Sequence, residues 1–90
     1  MNEYHREQAT EEDIEKSIDW LRDEFHRRIR EKGPGIFKSR HEILGVVTEE
    51  YQELMEAVHS EDIHKVRNEL LDIAVAALFG VTSIYKGVDW

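Results

Sequence analysis

Residues 70–81 read Leu70-Leu71-Asp72-Ile73-Ala74-Val75-Ala76-Ala77-Leu78-Phe79-Gly80-Val81, apolar on nearly every side of a helical wheel and interrupted by one charge. A helix that is apolar all round is a buried helix. Asp72 is flanked on the wheel by Val75, Ala76 and Phe79, where an ionised carboxylate costs several kcal/mol or more unless something pairs with it. Glu69, one turn earlier, faces roughly the same way.

A matching anomaly lies upstream. At about 100° per residue, Ile43, Val46, Val47, Tyr51, Leu54, Ala57 and Val58 form one broad apolar arc, with Glu50 near its middle and Glu53 at its edge. Positions i and i+3 are neighbours on a helix surface, so Glu50 and Glu53 pair, whereas Gln52 and Glu56 project to the opposite, solvated face.

Local signals bound three helices, at about 10–32, 40–59 and 61–85. Thr10 followed by Glu11, Glu12 and Asp13 is an N-cap with acids at the positive end of the dipole, and Ile14, Ile18, Leu21, Phe25 and Ile29 recur at helical spacing after it. Ser39-Arg40-His41-Glu42 fits a capping box. Ser60 with Glu61 and Asp62 repeats the cap-plus-acid pattern, and Lys86-Gly87 stops the third helix. Gly33-Pro34-Gly35 is the one strong breaker.

The expectation is a single all-α domain over residues 1–90, with a flexible N-terminus at 1–9. The second and third helices form an antiparallel hairpin across a short turn, and the first helix joins it through the Gly-Pro-Gly loop. So apolar a third helix in so short a chain is not covered by two helices alone, and homo-oligomerisation, as a dimer or tetramer, is expected to complete the bundle.

Composition narrows the function. The 90 residues carry 12 Lys+Arg against 20 Asp+Glu, a formal net charge of -8. That excess of acid argues against a nucleic-acid polymer as partner, because such binding rests on Lys and Arg clusters. With no cysteine there is neither a disulfide framework nor a thiolate nucleophile. Met1 to Glu12 lacks the apolar core of a signal peptide, and the uncharged run Ile73 to Tyr85 is shorter than a membrane span. No membrane association is expected, and the cytoplasm is the default compartment.

Glu50-x-x-Glu53 and Glu69-x-x-Asp72 therefore lie on consecutive helices expected to pack together. Four clustered carboxylates repel one another, and the simplest resolution is a hard divalent cation with oxygen ligands, Mg²⁺ or Mn²⁺ in its place. Glu56-x-x-His59 and Glu61-x-x-His64 have the spacing of di-iron ligands, but they straddle a turn on the solvent side instead of lining a bundle interior.

At these residues the sequence resembles the MazG-like nucleoside triphosphate pyrophosphohydrolases, an all-α superfamily whose pattern is E-x-x-E followed further along by E-x-x-D. Here it reads Glu49-Glu50-Tyr51-Gln52-Glu53-Leu54 and Glu69-Leu70-Leu71-Asp72. Ile43-Leu44-Gly45-Val46-Val47 leads into the acids and Ala57-Val58 follows them, so the resemblance spans roughly Ser39 to Trp90. It implies that Glu50, Glu53, Glu69 and Asp72 bind Mg²⁺ and that a nucleotide substrate is cut to its monophosphate and pyrophosphate. Glu49 or Glu53 is then left to orient or deprotonate the attacking water.

Many members of that family continue past Gly-x-Asp, here Gly87-Val88-Asp89, into a helix bearing phosphate-binding Lys and Arg; this sequence ends at Trp90. Phosphate-neutralising cations are then expected from Lys86, from Lys38 and Arg40, from a partner chain, or from the Arg27-Arg28-Ile29-Arg30 run, which also reads as a solvated last turn complementing the helix dipole. Trp20, Tyr51, Phe79 and Trp90 are the aromatic candidates for stacking a base. The other reading of the sequence is a non-catalytic helical dimerisation module that retains the acids.

Overall fold

The computed structural model describes residues 6–88, folded as three helices, α1 (Glu11–Lys32), α2 (Arg40–Ser60) and α3 (Ile63–Lys86), with no strand among the described residues. The expectations that fall on residues 1–5, Asp89 and Trp90 lie outside the described residues. α3 is the central element: it packs antiparallel to α2 along its length and receives α1 over a shorter contact.

The caps show why the helices start where they do. Thr10 and Asp13 exchange hydrogen bonds, Asp13 N to Thr10 Oγ1 at 3.0 Å and Thr10 N to Asp13 Oδ2 at 2.8 Å, a full capping box. The box expected at Ser39 is only half made. Glu42 N donates to Ser39 Oγ at 3.2 Å, but the Glu42 carboxylate accepts from Lys38 N instead, at 2.7 Å.

The start of α3 corrects the expected boundary. Ser60 is the last residue of α2, its hydroxyl donating to Ala57 O at 2.6 Å. Asp62 is the true cap, its Oδ1 accepting from His64 N at 2.9 Å. Asp outcompetes Ser because an ionised acceptor suits the helix N-terminus better. Glu61 makes the reversal with φ 62, a left-handed conformation that costs a non-glycine residue about 1 kcal/mol.

The α2–α3 contact is close because α3 presents small residues there. Ala76, Gly80 and Ser83 are buried, and a Cβ on Gly80 would meet Ile43 Cγ2 at 3.1 Å. Ser83 is 0% exposed; its hydroxyl donates to Phe79 O at 2.8 Å and accepts Phe37 N–H at 3.1 Å. One side chain thereby pins the loop between α1 and α2 onto α3, and Phe37 meets Phe79 edge to face with centroids 5.3 Å apart. Phe25 of α1 joins the same cluster, 6.2 Å from Phe79.

Burial departs from the expected arcs in two places. The first half of α1 stands free, with Ile14 and Ile18 exposed, and only Leu21, Phe25 and Ile29 of its apolar face are half-buried. Tyr51 and Val58 of α2 are also exposed. On α3 the buried face is opposed by an exposed apolar one: Ile63 (71%), Leu70, Val81 and Ile84, bordered by Tyr85 (93%). An 18-residue stretch within Ile63–Lys86 has a mean hydropathy of 1.3, enough by length and composition to cross a membrane. The uncharged run Ile73 to Tyr85 is shorter because it stops at Asp72, whereas a stretch of this length accommodates Glu69 and Asp72.

Candidate metal centre

Two antiparallel helices joined by a tight turn bring i,i+3 pairs on each into register. Glu50 and Glu53 on α2 and Glu69 and Asp72 on α3 each offer a carboxylate oxygen, and these oxygens all lie within 4.8 Å of one another. Glu50, Glu69 and Asp72 are half-buried, whereas Glu53 stands at the exposed rim.

The electrostatics are those of a site short of positive charge. Burial, then the neighbouring carboxylates of Glu53 and Asp72, push Glu50 up to about 7. Glu69 is raised by burial and by Asp72 and Glu53. Asp72 is raised chiefly by burial, with the Arg28 guanidinium opposing the shift. Glu50 Oε2 and Glu69 Oε2 are buried without a hydrogen-bond partner, and buried carboxylate oxygens left without donors require a proton or a cation.

The donor set fits a hard divalent cation. It is all carboxylate oxygen, the chemistry of Mg²⁺, Mn²⁺ or Ca²⁺. Two Mg–O bonds of about 2.1 Å span about 4.2 Å, so oxygens within 4.8 Å need only small side-chain rotations to share one ion.

Two features adjoin the acids that the helical wheel did not reveal. Arg28 reaches across from α1, its Nη1 3.7 Å from Asp72 Oδ1. It is therefore no solvated member of a last turn, in contrast to Arg27, which pairs along its own helix with Glu24 and Glu31. Beyond Arg28 lies a cavity of about 230 Å³ lined by Phe25, Ile29, Phe37, Val46, Val75 and Phe79, with Arg28 on its wall.

Of the aromatic candidates among the described residues, only Phe79 lines this cavity; Trp90 lies outside them. Trp20 stacks under Arg67 on a different face, 5.6 Å from ring centroid to guanidinium carbon, and Tyr51 is exposed. A signal for the rest existed: Phe25, Arg28, Ile29 and Lys32 share one face of α1 at i, i+3, i+4 and i+7. Phe37 had none, because the Ser83 bond that places it is non-local.

Glu49 lies outside the four-acid group, exposed on α2 one turn before Glu53 and on the same side. On the far side of the acids a groove is lined by Glu53, Glu56, Ser60, Lys65 and Glu69, so Glu56, though exposed, faces this groove. His59 points its Nδ1 at Met55 O, 2.7 Å away.

The fold and site define a helical hairpin carrying a four-carboxylate centre beside an aromatic cavity. The chain belongs to the MazG family: the family model described as the MazG nucleotide pyrophosphohydrolase domain matches residues 38–86, just over half of the sequence and all four acids. No curated protein and no solved structure gives a significant match.

Proposed function

We propose that this protein is a Mg²⁺-dependent pyrophosphohydrolase, with Mn²⁺ as a substitute, cleaving a nucleoside triphosphate or related nucleotide to its monophosphate and pyrophosphate. The observation that carries the reading is the pair of buried, partnerless oxygens on Glu50 and Glu69 within a four-carboxylate group. In this reading Glu50, Glu53, Glu69 and Asp72 hold the cation. When bound, such an ion neutralises charge developing on phosphate oxygens and lowers the pKa of water.

The chain's own residues supply the rest. The Phe25–Phe37–Phe79 cavity takes the nucleoside end, since aromatic faces and a small volume suit one flat ring system. Water adds to a phosphorus atom flanking the α–β bridge, the bridging oxygen leaves with the other phosphoryl group, and the water's proton passes to a carboxylate. Glu49, one turn from Glu53 and open to solvent, is assigned that proton.

The unpartnered faces of α2 and α3 support a homo-oligomer, dimer or tetramer, whose second copy covers Leu44, Tyr51, Leu70 and Val81. The -8 charge argues against a nucleic-acid polymer, and with its second apolar face against another copy α3 needs no membrane. A cytoplasmic location accords with a nucleotide substrate.

Product analysis tests the reaction. Purified protein incubated with a panel of canonical and modified nucleoside triphosphates should release pyrophosphate and monophosphate with Mg²⁺ and none with chelator. No cleavage of any nucleotide, together with no Mg²⁺ or Mn²⁺ binding, would leave the non-catalytic dimerisation module as the reading.

A further inference from the structure

Arg28 occupies a position that neither the acids nor the aromatic cavity explains alone. Its guanidinium stands 3.7 Å from Asp72 Oδ1 and its side chain forms part of the cavity wall beside Phe25 and Phe79. Lys32 also lines the cavity, but Arg28 is the cavity cation that pairs with one of the four acids. The ion pair is a loose one, longer than a hydrogen bond and with both side chains about a quarter exposed (24% and 27%). Such a pair contributes little stability, about 0–1 kcal/mol, and separates cheaply.

The order of features along α3 gives this position a direction. Lys65 lies in the groove on one side of the acids, Glu69 and Asp72 follow, and Val75, Ala76 and Phe79 line the cavity on the other side. At about 1.5 Å per residue these follow one another along a single helix edge. A nucleotide seated with its base among the phenylalanines runs its phosphates past Arg28 first, then over the acids, towards the Lys65 groove.

Resting on the reading of the site as a nucleotide pyrophosphohydrolase, we propose that Arg28 exchanges partners. It balances Asp72 in the free protein and turns to the phosphate nearest the nucleoside when a divalent cation takes over the carboxylates. Arginine suits the role because its planar fork binds carboxylate and phosphate oxygens with the same geometry. The exchange also avoids leaving either the acids or the phosphates without a counter-charge at any stage.

The test separates the two halves of the exchange. Mn²⁺ is titrated calorimetrically into wild type, Arg28→Ala and Arg28→Lys without nucleotide, at a pH of about 8.5 so that raised carboxylates are ionised. Arg28→Ala should bind Mn²⁺ several-fold more tightly, because a competing cation is gone. Binding of the nucleoside monophosphate of the best-cleaved base, measured with Mn²⁺ present, should weaken at least about tenfold, the loss of one charge-assisted hydrogen bond. Inorganic pyrophosphate should bind within about twofold of wild type, and Arg28→Lys should recover part of the monophosphate affinity.

Unchanged or weaker Mn²⁺ binding in Arg28→Ala overturns the exchange, as does equal loss of monophosphate and pyrophosphate affinity. Failure of wild type to bind Mn²⁺ is a different result: it overturns the metal-centre reading itself. Circular dichroism and a thermal melt on each variant establish that the helices are intact, so that a folding defect is not read as either outcome.

Discussion

The Ser83 hydroxyl, wholly buried on α3, accepts the backbone N–H of Phe37, 46 residues earlier, at 3.1 Å. This bond fastens the loop after the Gly-Pro-Gly break and sets Phe37 against Phe79 in the cavity wall. Ser83→Ala leaves the Phe37 N–H without an acceptor in a part-buried setting, a loss of about 1–3 kcal/mol. The expected outcome is a lower denaturation midpoint with an unchanged m-value, and a rise in KM larger than the fall in kcat, because the cavity loosens while the acids stay. An equal loss in both parameters would place Ser83's influence on the acids instead.

Stability of the metal-free protein should fall as pH rises. Glu50 titrates at about 7 in the fold against 4.5 ordinarily, so the folded state holds this proton more tightly than the unfolded one. The stability it contributes is present in full below about 4.5 and is lost as pH rises through about 7. Glu69 and Asp72 are raised too and act in the same direction. Thermal melts in chelator from pH 5 to 8 should show a declining midpoint, and Mg²⁺ at a hundred times its Kd should restore about 2.7 kcal/mol at the alkaline end. A midpoint that climbs with pH in chelator would contradict the crowding of these acids.

Neutralising the acids one at a time should separate repulsion from function. Glu50→Gln removes a buried charge with a partnerless oxygen, so at pH 8 without metal it should stabilise the fold by about 1 kcal/mol, the site's partial solvation keeping the gain small. Asp72→Asn should stabilise less, because the Arg28 guanidinium offsets part of the cost of that carboxylate. Both should lose turnover by several orders of magnitude and show weakened Mg²⁺ binding. Retained turnover in both would remove these residues from the metal centre.

The part of this molecule legible in its sequence is the part set by helical period. The spacing of Glu50, Glu53, Glu69 and Asp72 against apolar surroundings, with a short turn between, was enough to bring the four together. The all-α class followed from one strong breaker and three caps. The turn itself was misplaced by two residues because Ser60 and Asp62 both have capping chemistry, and only their hydrogen bonds decide between them. Arg28 and Phe37 were illegible for another reason: their partners, Asp72 and Ser83, are remote in sequence. Helical period says which residues share a face but not which face of α1 meets which residue of α3.

Glu49 can be tested apart from the metal. It is exposed and outside the four-acid group, so Glu49→Gln should leave Mg²⁺ affinity within about twofold of wild type. If it accepts the water's proton, turnover should fall by about 10²–10⁴-fold, the usual contribution of a general base, with KM little changed. Loss of Mg²⁺ affinity would instead make it a ligand. Full activity would pass the role to Glu53, the exposed member of the four.

Assembly is the last expectation, and α3 argues it most directly. Its buried face carries Val75, Ala76, Gly80 and Ser83, while the opposite face exposes Ile63, Leu70, Val81 and Ile84 over most of the helix. Leu44, Tyr51 and Met55 of α2 are exposed as well. Exposed apolar residues on both helices are what a second copy is expected to cover. Light scattering should give a dimer or tetramer of the 10.7 kDa chain, and Leu70→Glu with Val81→Glu should shift it to monomer. Helical content should persist in that monomer, because neither substitution touches the α2–α3 contact. A wild-type monomer at all concentrations would show that this face stays open in solution.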